Sequence, residues 1–143
     1  MSELKAGIYI KSTDALVGSF FENTTLLIVK HNEEGSLGFV THKIFAKSLH
    51  ELVEFHHSKP YPLMDGGPVD REHLFVLHQR PDIIHGGEKV FKDFYLGGNM
   101  AEVIKAINRK GAAYQEIQIF IGYCGWDGGE LEDEMKEGSW IFR

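Results

Sequence analysis

Apolar positions in this 143-residue chain fall into short runs punctuated by glycine and proline, and one stretch repeats with a clear helical period. Met100, Val103, Ile104 and Ile107 follow an i, i+3, i+4, i+7 stripe. Asn99 stands before it as an N-cap with Glu102 at the reciprocal position, and Lys105, Arg109, Lys110 and then Gly111 close it. This predicts the longest helix over residues 99–110. Elsewhere the period shortens. Residues 6–10 read as a first strand. Residues 24–31 (TTLLIVKH) and 37–40 (LGFV) read as a hairpin around a four-residue Asn32-Glu33-Glu34-Gly35 loop. Ser48 with Glu51 forms a capping box opening a short helix, whose buried face is Leu49, Leu52 and Val53.

Pro60 and Pro62 make residues 56–62 a loop, and residues 64–69 (MDGGPV) a tight turn. Strands follow at 74–77 and, one or two of them, within 90–96. The strongest strand is 115–124, with its most buried part at 117–123. A short helix at 130–135 and a strand at 139–142 end the chain as given. This order lacks a strict βαβ alternation, which disfavours a doubly wound parallel sheet. The expectation is one α+β domain over residues 1–143, with a mixed, mostly antiparallel sheet and a few helices packed on it. Frequent glycine turns imply a sheet curled strongly towards a barrel. There is no internal repeat, low-complexity tract or linker.

Composition narrows the function. Hydrophobic residues make up 43% and charged residues 25%, the balance of a folded domain. The net charge of −6, without a basic arm, argues against direct nucleic-acid binding. No apolar run is long enough to span a bilayer, and the first residues lack a secretory h-region, so no membrane association is expected and the expected location is the cytoplasm. Cys124 is the single cysteine, which rules out an intrachain disulfide and cysteine-based zinc motifs.

Several motifs invite chemistry, and each has a structural alternative. Gly66, Gly67 and Pro68 could shape a backbone nest for an anion, or a turn that lets strands approach closely. The run is neither a P-loop nor a dinucleotide fingerprint. Tyr123, Gly125 and Trp126 could line a ligand pocket or plug the end of the curled sheet. Cys124 sits at an apolar strand end, which points to a buried, inert thiol. Eight histidines raise the metal question, but no pair has the His-x-x-x-His spacing of a helical site, so no metal or other cofactor is expected. His78 reads as a histidine satisfying backbone groups near a sheet edge. The acids from Asp127 to Glu137 read as a solvated helix with Leu131 and Met135 inward, and Asp127 with Glu130 as a cap.

Three blocks then stand in a characteristic order: EGSLGFV (34–40), DGGPV with FVLH (65–69, 75–78), and GYCGWDGGELEDE (122–134) with Trp140 after it. On these blocks the chain resembles the YqgE/AlgH family of bacterial proteins, nearly end to end. It departs from that pattern at Thr41-His42-Lys43-Ile44, where the family has an Asn-Arg-Pro-like run, and at Glu130, where the family has Gln. The resemblance implies a compact α+β fold with a barrel-like sheet. One family branch carries the label of an alginate transcriptional regulator.

The leading expectation is a noncatalytic bacterial cytoplasmic protein that binds a protein or small ligand. A regulator acting through a protein partner is the alternative, and an undiscovered enzyme the third. The expected binding surface combines Gly66, Gly67 and Pro68 with Tyr123, Gly125 and Trp126, and His78; no catalytic residue is assigned.

Overall fold

The computed structural model describes residues 3–109 and 116–143, and a nine-stranded sheet is their frame. The strands are β1 (Tyr9–Ser12), β2 (Thr25–Asn32), β3 (Gly35–Val40), β4 (Met64–Asp65), β5 (Val69–His78), β6 (Glu88–Phe91), β7 (Phe94–Leu96), β8 (Ile117–Asp127) and β9 (Trp140–Phe142). They lie in the order β6-β7-β5-β8-β3-β2-β1-β9, all antiparallel, and β4 adds a short parallel pairing to β8. Two α-helices, α1 (Met100–Asn108) and α2 (Glu130–Lys136), pack on this sheet. The fold is α+β, as the order of elements predicts.

The sheet curls into a half-barrel, and its register shows why. Register shifts interrupt the pairing at Ile28/Lys30, Val69/Leu74 and Lys89/Phe91. Each such bulge bends its strand and increases the local twist. The curl returns β6 towards β2, where Lys30 Nζ meets Glu88 Oε1 at 3.1 Å. Inside it, Leu27, Val29, Phe39, Leu77 and Phe120 are buried with Phe91, Phe94 and Leu96 packed on them, and Phe39 stacks on Phe120 at 4.2 Å between ring centroids.

Two further cores cover the outside. The α1 stripe buries Val103, Ile104, Ala106 and Ile107 against Val76, Ile117, Ile119 and Ile121. The second joins Leu131 of α2 to Ile10, Leu26, Ile28, Val40, Cys124, Trp126 and Trp140. Strand β8 serves all three because its alternation changes phase. Ile117, Ile119 and Ile121 face α1 and Phe120 faces the curl. Past Gly122, it is Tyr123 that faces the curl while Cys124 and Trp126 face α2. Gly122 has φ +71°, a left-handed conformation that glycine adopts without strain, and this is where the phase slips.

Several elements differ from the sequence expectation. The first strand begins at Tyr9, because Gly7 turns at φ +92° and donates its N–H to Ile28 O. The hairpin loop has two residues rather than four, since Asn32 pairs with Gly35. The capping-box helix is two 3-10 turns, Leu49–Glu51 and Val53–Phe55. Glu51 does accept from the Ser48 N–H at 2.7 Å. Leu49 is buried and Leu52 half-buried, but Val53 is 88% exposed, because the tighter 3-10 turn rotates it away from the face an α-helix would bury. The 64–69 turn contains β4, and β5 is ten residues long. Helix α1 ends at Asn108; the Lys110 and Gly111 stop signals and Gln115 lie outside the described residues, while Glu116 is a turn and the expected 115–124 strand runs from Ile117 to Asp127.

Candidate functional site

The two glycine-rich blocks meet. Gly66 donates its N–H to Ile121 O at 2.8 Å, and Val40 donates to Gly66 O at 3.0 Å. A Cβ at Gly67 would lie 2.3 Å from the Tyr123 carbonyl, and one at Gly122 would lie 2.3 Å from Gly67 O. Any side chain at these points would collide with backbone. The block therefore has the close strand packing that glycine permits. Arg71 holds the turn from outside. Its Nη1 donates to Asp65 Oδ1 at 2.6 Å and Gly67 O at 2.8 Å, and its Nη2 to Asp65 Oδ2 at 3.2 Å. No sequence motif links Asp65 to Arg71; only the turn brings them together.

Just beyond this crossing, the curled sheet opens into a hollow of about 440 Å³ between the β2–β3 hairpin end and β8. Lys30, Leu37, Val69, Tyr123, Gly125 and Asp127 are among its walls, and Trp126 borders it. Three of the expected binding residues, Tyr123, Gly125 and Trp126, thus share one opening with Val69. Gly66 and Gly67 are buried beneath it, and Pro68 is exposed beside it, outside the lining. The Trp126 indole is only 9% exposed. Its Nε1–H donates to Glu134 Oε1 at 3.1 Å, and the Trp140 Nε1–H donates to the same oxygen at 2.9 Å. Phe21 packs against both rings. Tyr123 and Gly125 are the members with surface to offer.

His78 stands at the far end of β5: it pairs with Ile117 of β8, six residues and roughly 20 Å along that strand from Tyr123, the partner of Val69. It is fully buried, stacked on Tyr95 at 5.8 Å. Its Nδ1 accepts the Arg80 N–H at 3.0 Å, so the proton sits on Nε2, which faces the Gly97 carbonyl without a well-formed bond. Burial pushes its pKa below the ordinary histidine value, and the Gly97 carbonyl opposes this in part. It does not join the opening at Tyr123. Cys124 is also sealed: its thiol contacts Gly66 O at 3.5 Å, and burial pushes its pKa up to about 12.

A groove that the sequence reading missed lies on the α1 side. It measures about 650 Å³, with Phe45, Leu52, Phe55, Leu74, Met100 and Ile121 along it and Arg71, His73 and Glu54 among its charged rim. Its apolar residues come from four separate segments, so no local pattern announced it. Among the described residues, no group of three or more His, Cys, Asp or Glu side chains is placed to hold a metal ion. No helix among them is long and apolar enough to cross a membrane.

The family model described as DUF179, AlgH-like, matches residues 9–143. The chain belongs to the AlgH-like family. A UPF0301 protein from Chlorobium chlorochromatii is 36% identical over 138 residues, covering 96% of this chain and 73% of that protein. A UPF0301 protein from Bacteroides thetaiotaomicron is 34% identical over 122 residues, covering 85% of this chain and 62% of its own length. Among solved structures, the AlgH protein from Pseudomonas aeruginosa superposes with a TM-score of 0.74 at 23% identity, covering all of this chain and 80% of that one. A Corynebacterium diphtheriae protein gives 0.75 at 17% identity, covering 99% and 76%. At these identities the two structures establish the AlgH-like fold.

Proposed function

We propose that the protein works by binding a small ligand or a protein, and not by catalysis. The observation carrying this reading is that the single thiol, Cys124, and the buried His78 are both kept away from its open surfaces. Cys124 and His78 are each buried, Cys124 in the core under α2 and His78 stacked on Tyr95. A thiol raised to about 12 carries almost no thiolate at neutral pH. The hollow at Tyr123, in contrast, offers an aromatic face beside a bare Gly125, with Asp127 to orient a polar group. A cytoplasmic setting and a partner other than nucleic acid are part of the same reading, supported by the unpaired Cys124 and the net charge of −6.

A fragment screen followed by amide chemical shifts tests it on the whole chain. Saturable shifts should cluster at Leu37, Tyr123 and Gly125, and Gly125→Arg should abolish them while leaving the melting temperature close to the parent's. Hits scattered over the surface, or hits indifferent to Gly125→Arg, would remove the Tyr123 opening as the binding surface. Rapid alkylation of native Cys124 at neutral pH, coupled to loss of an activity, would revive the enzyme reading.

A further inference from the structure

At the other end of the β2–β3 hairpin lies a second hollow, of about 430 Å³, lined by Lys11, Asn23, Thr25, Thr41, His42 and Arg143. The strand register brings them together. Lys11 pairs across β1 and β2 with Thr25, and Thr41 donates its N–H to Thr25 O at 3.3 Å. Arg143 arrives from beyond β9, held by its N–H on Tyr9 O and by its guanidinium 5.4 Å from the Tyr9 ring. These residues come from five places in the sequence and form no motif. In a chain with six excess negative charges, this lining contains no carboxylate side chain.

We propose that this hollow binds the phosphate monoester group of a ligand. Among the described residues, Lys11, His42 and Arg143 make no ion pair within 4.0 Å, so no carboxylate neutralises the cations Lys11 and Arg143. This contrasts with Lys30, Arg71 and Arg80, each of which meets a carboxylate. Arg143 supplies a planar fork of donors suited to a tetrahedral oxyanion, and Lys11 a compact point charge. The Thr25 hydroxyl and the Asn23 amide are neutral donors that fix orientation, while Thr41 Oγ1 donates to Thr25 O at 3.3 Å. The nearest competing acids, Asp14 and Glu22, line an adjoining hollow that shares Lys11 and Asn23, and Glu22 already accepts the Gly18 N–H at 2.9 Å. The volume suits a small molecule and is too small for an extended polymer.

The test is an amide chemical-shift titration of the intact chain with inorganic phosphate, then with glycerol 3-phosphate, ionic strength being held constant with chloride. Shifts should saturate at Lys11, Thr25, Thr41 and His42. Lys11→Met and Arg143→Met should each weaken binding about tenfold, the loss expected for one charge-assisted contact. Both side chains are exposed, so these variants should melt like the parent. Vesicles containing phosphatidic acid separate a membrane headgroup from a soluble ligand. Retention on vesicles with no saturable response to either soluble phosphate would overturn the proposal in favour of a membrane-facing surface. Shifts no larger than chloride alone produces, or unchanged in both variants, would overturn it outright. Because Tyr123 and Gly125 are distant from these residues along both strands, this result stands or falls independently of the fragment screen.

Discussion

The two ends of the β2–β3 hairpin are built on the same interior yet present opposite chemistry. At the loop end, Lys30 is neutralised by Glu88, and Glu34 and Asp127 border an opening whose main surface is Tyr123 and bare glycine. At the other end, Lys11, His42 and Arg143 stand among hydroxyls, and no carboxylate among the described residues pairs with them. Leu27, Val29 and Phe39 lie between them in one core. The difference teaches that a strand pair can carry two surfaces of different selectivity when its middle is rigid and apolar. A rigid middle holds the residues at each end in place instead of leaving a fluctuating surface.

That comparison can be broken hardest at the shared interior. Phe39→Ala removes one ring of the Phe39–Phe120 stack from a fully buried position and should cost about 3–5 kcal/mol. Chemical denaturation would measure it, and both hollows should lose their ordered amide signals together. If only one end responds, they do not share a floor.

Gly67→Ala comes next. Its φ is +155°, and the new Cβ would lie 2.3 Å from the Tyr123 backbone, so the β4–β8 crossing must open. A loss on the order of 2–3 kcal/mol is expected in an equilibrium melt. The damage should fall on the Tyr123 end alone, leaving any phosphate response at Lys11 intact.

Acid should act at a third place, away from both ends. His78 is neutral when folded because burial lowers its pKa. Above about pH 6.5, the unfolded value, both states are neutral and the site adds no pH dependence. As the pH falls below that value the unfolded chain takes up a proton first, so stability should decline until the lowered folded pKa is passed. His73 has the opposite sign, since its hydrogen bond to Asp70 raises its pKa, but this pair is exposed and its contribution is small. Urea melts on either side of pH 6.5 should show the decline in the parent and less of it in His78→Gln. A parent whose stability is flat or rising towards acid would contradict the buried neutral assignment.

Two smaller substitutions separate architecture from surface at the Tyr123 end. Trp126→Phe keeps the ring but removes one of the two N–H donors on Glu134 Oε1, for a loss of about 1 kcal/mol. Gly125→Ala should change stability by about 0.5 kcal/mol or less, because the added Cβ meets only the movable Tyr123 ring edge at 3.0 Å. A large loss at Gly125 would show that the opening is part of the frame.

Much of the frame was legible in the sequence. The α1 stripe, the hairpin, the long apolar strand and the Glu130 side chain that accepts from the Asp127 N–H each depend on residues a few positions apart, where period and propensity act directly. The residue that caps α2, however, is Gly129 and not Asp127. Leu131 is buried and Met135 half-buried on the inner face of α2, and Cys124 is a buried thiol, as their patterns imply. The proximity of the two glycine blocks was legible only as a suspicion, since glycine announces close approach without naming what approaches.

What the sequence determined, then, is the set of local elements, the family and the absence of a basic arm or a cysteine framework, because these follow from spacing and composition. Tertiary structure alone decided the rest. The phase slip at Gly122 turns Tyr123 into the curl and Trp126 away from it. The strand register sets Lys11 beside Thr25 and brings Arg143 to the same hollow. The length of β5 carries His78 away from the opening it was expected to join. In each case the outcome depends on which strand lies next to which, a long-range choice that no stretch of neighbouring residues encodes.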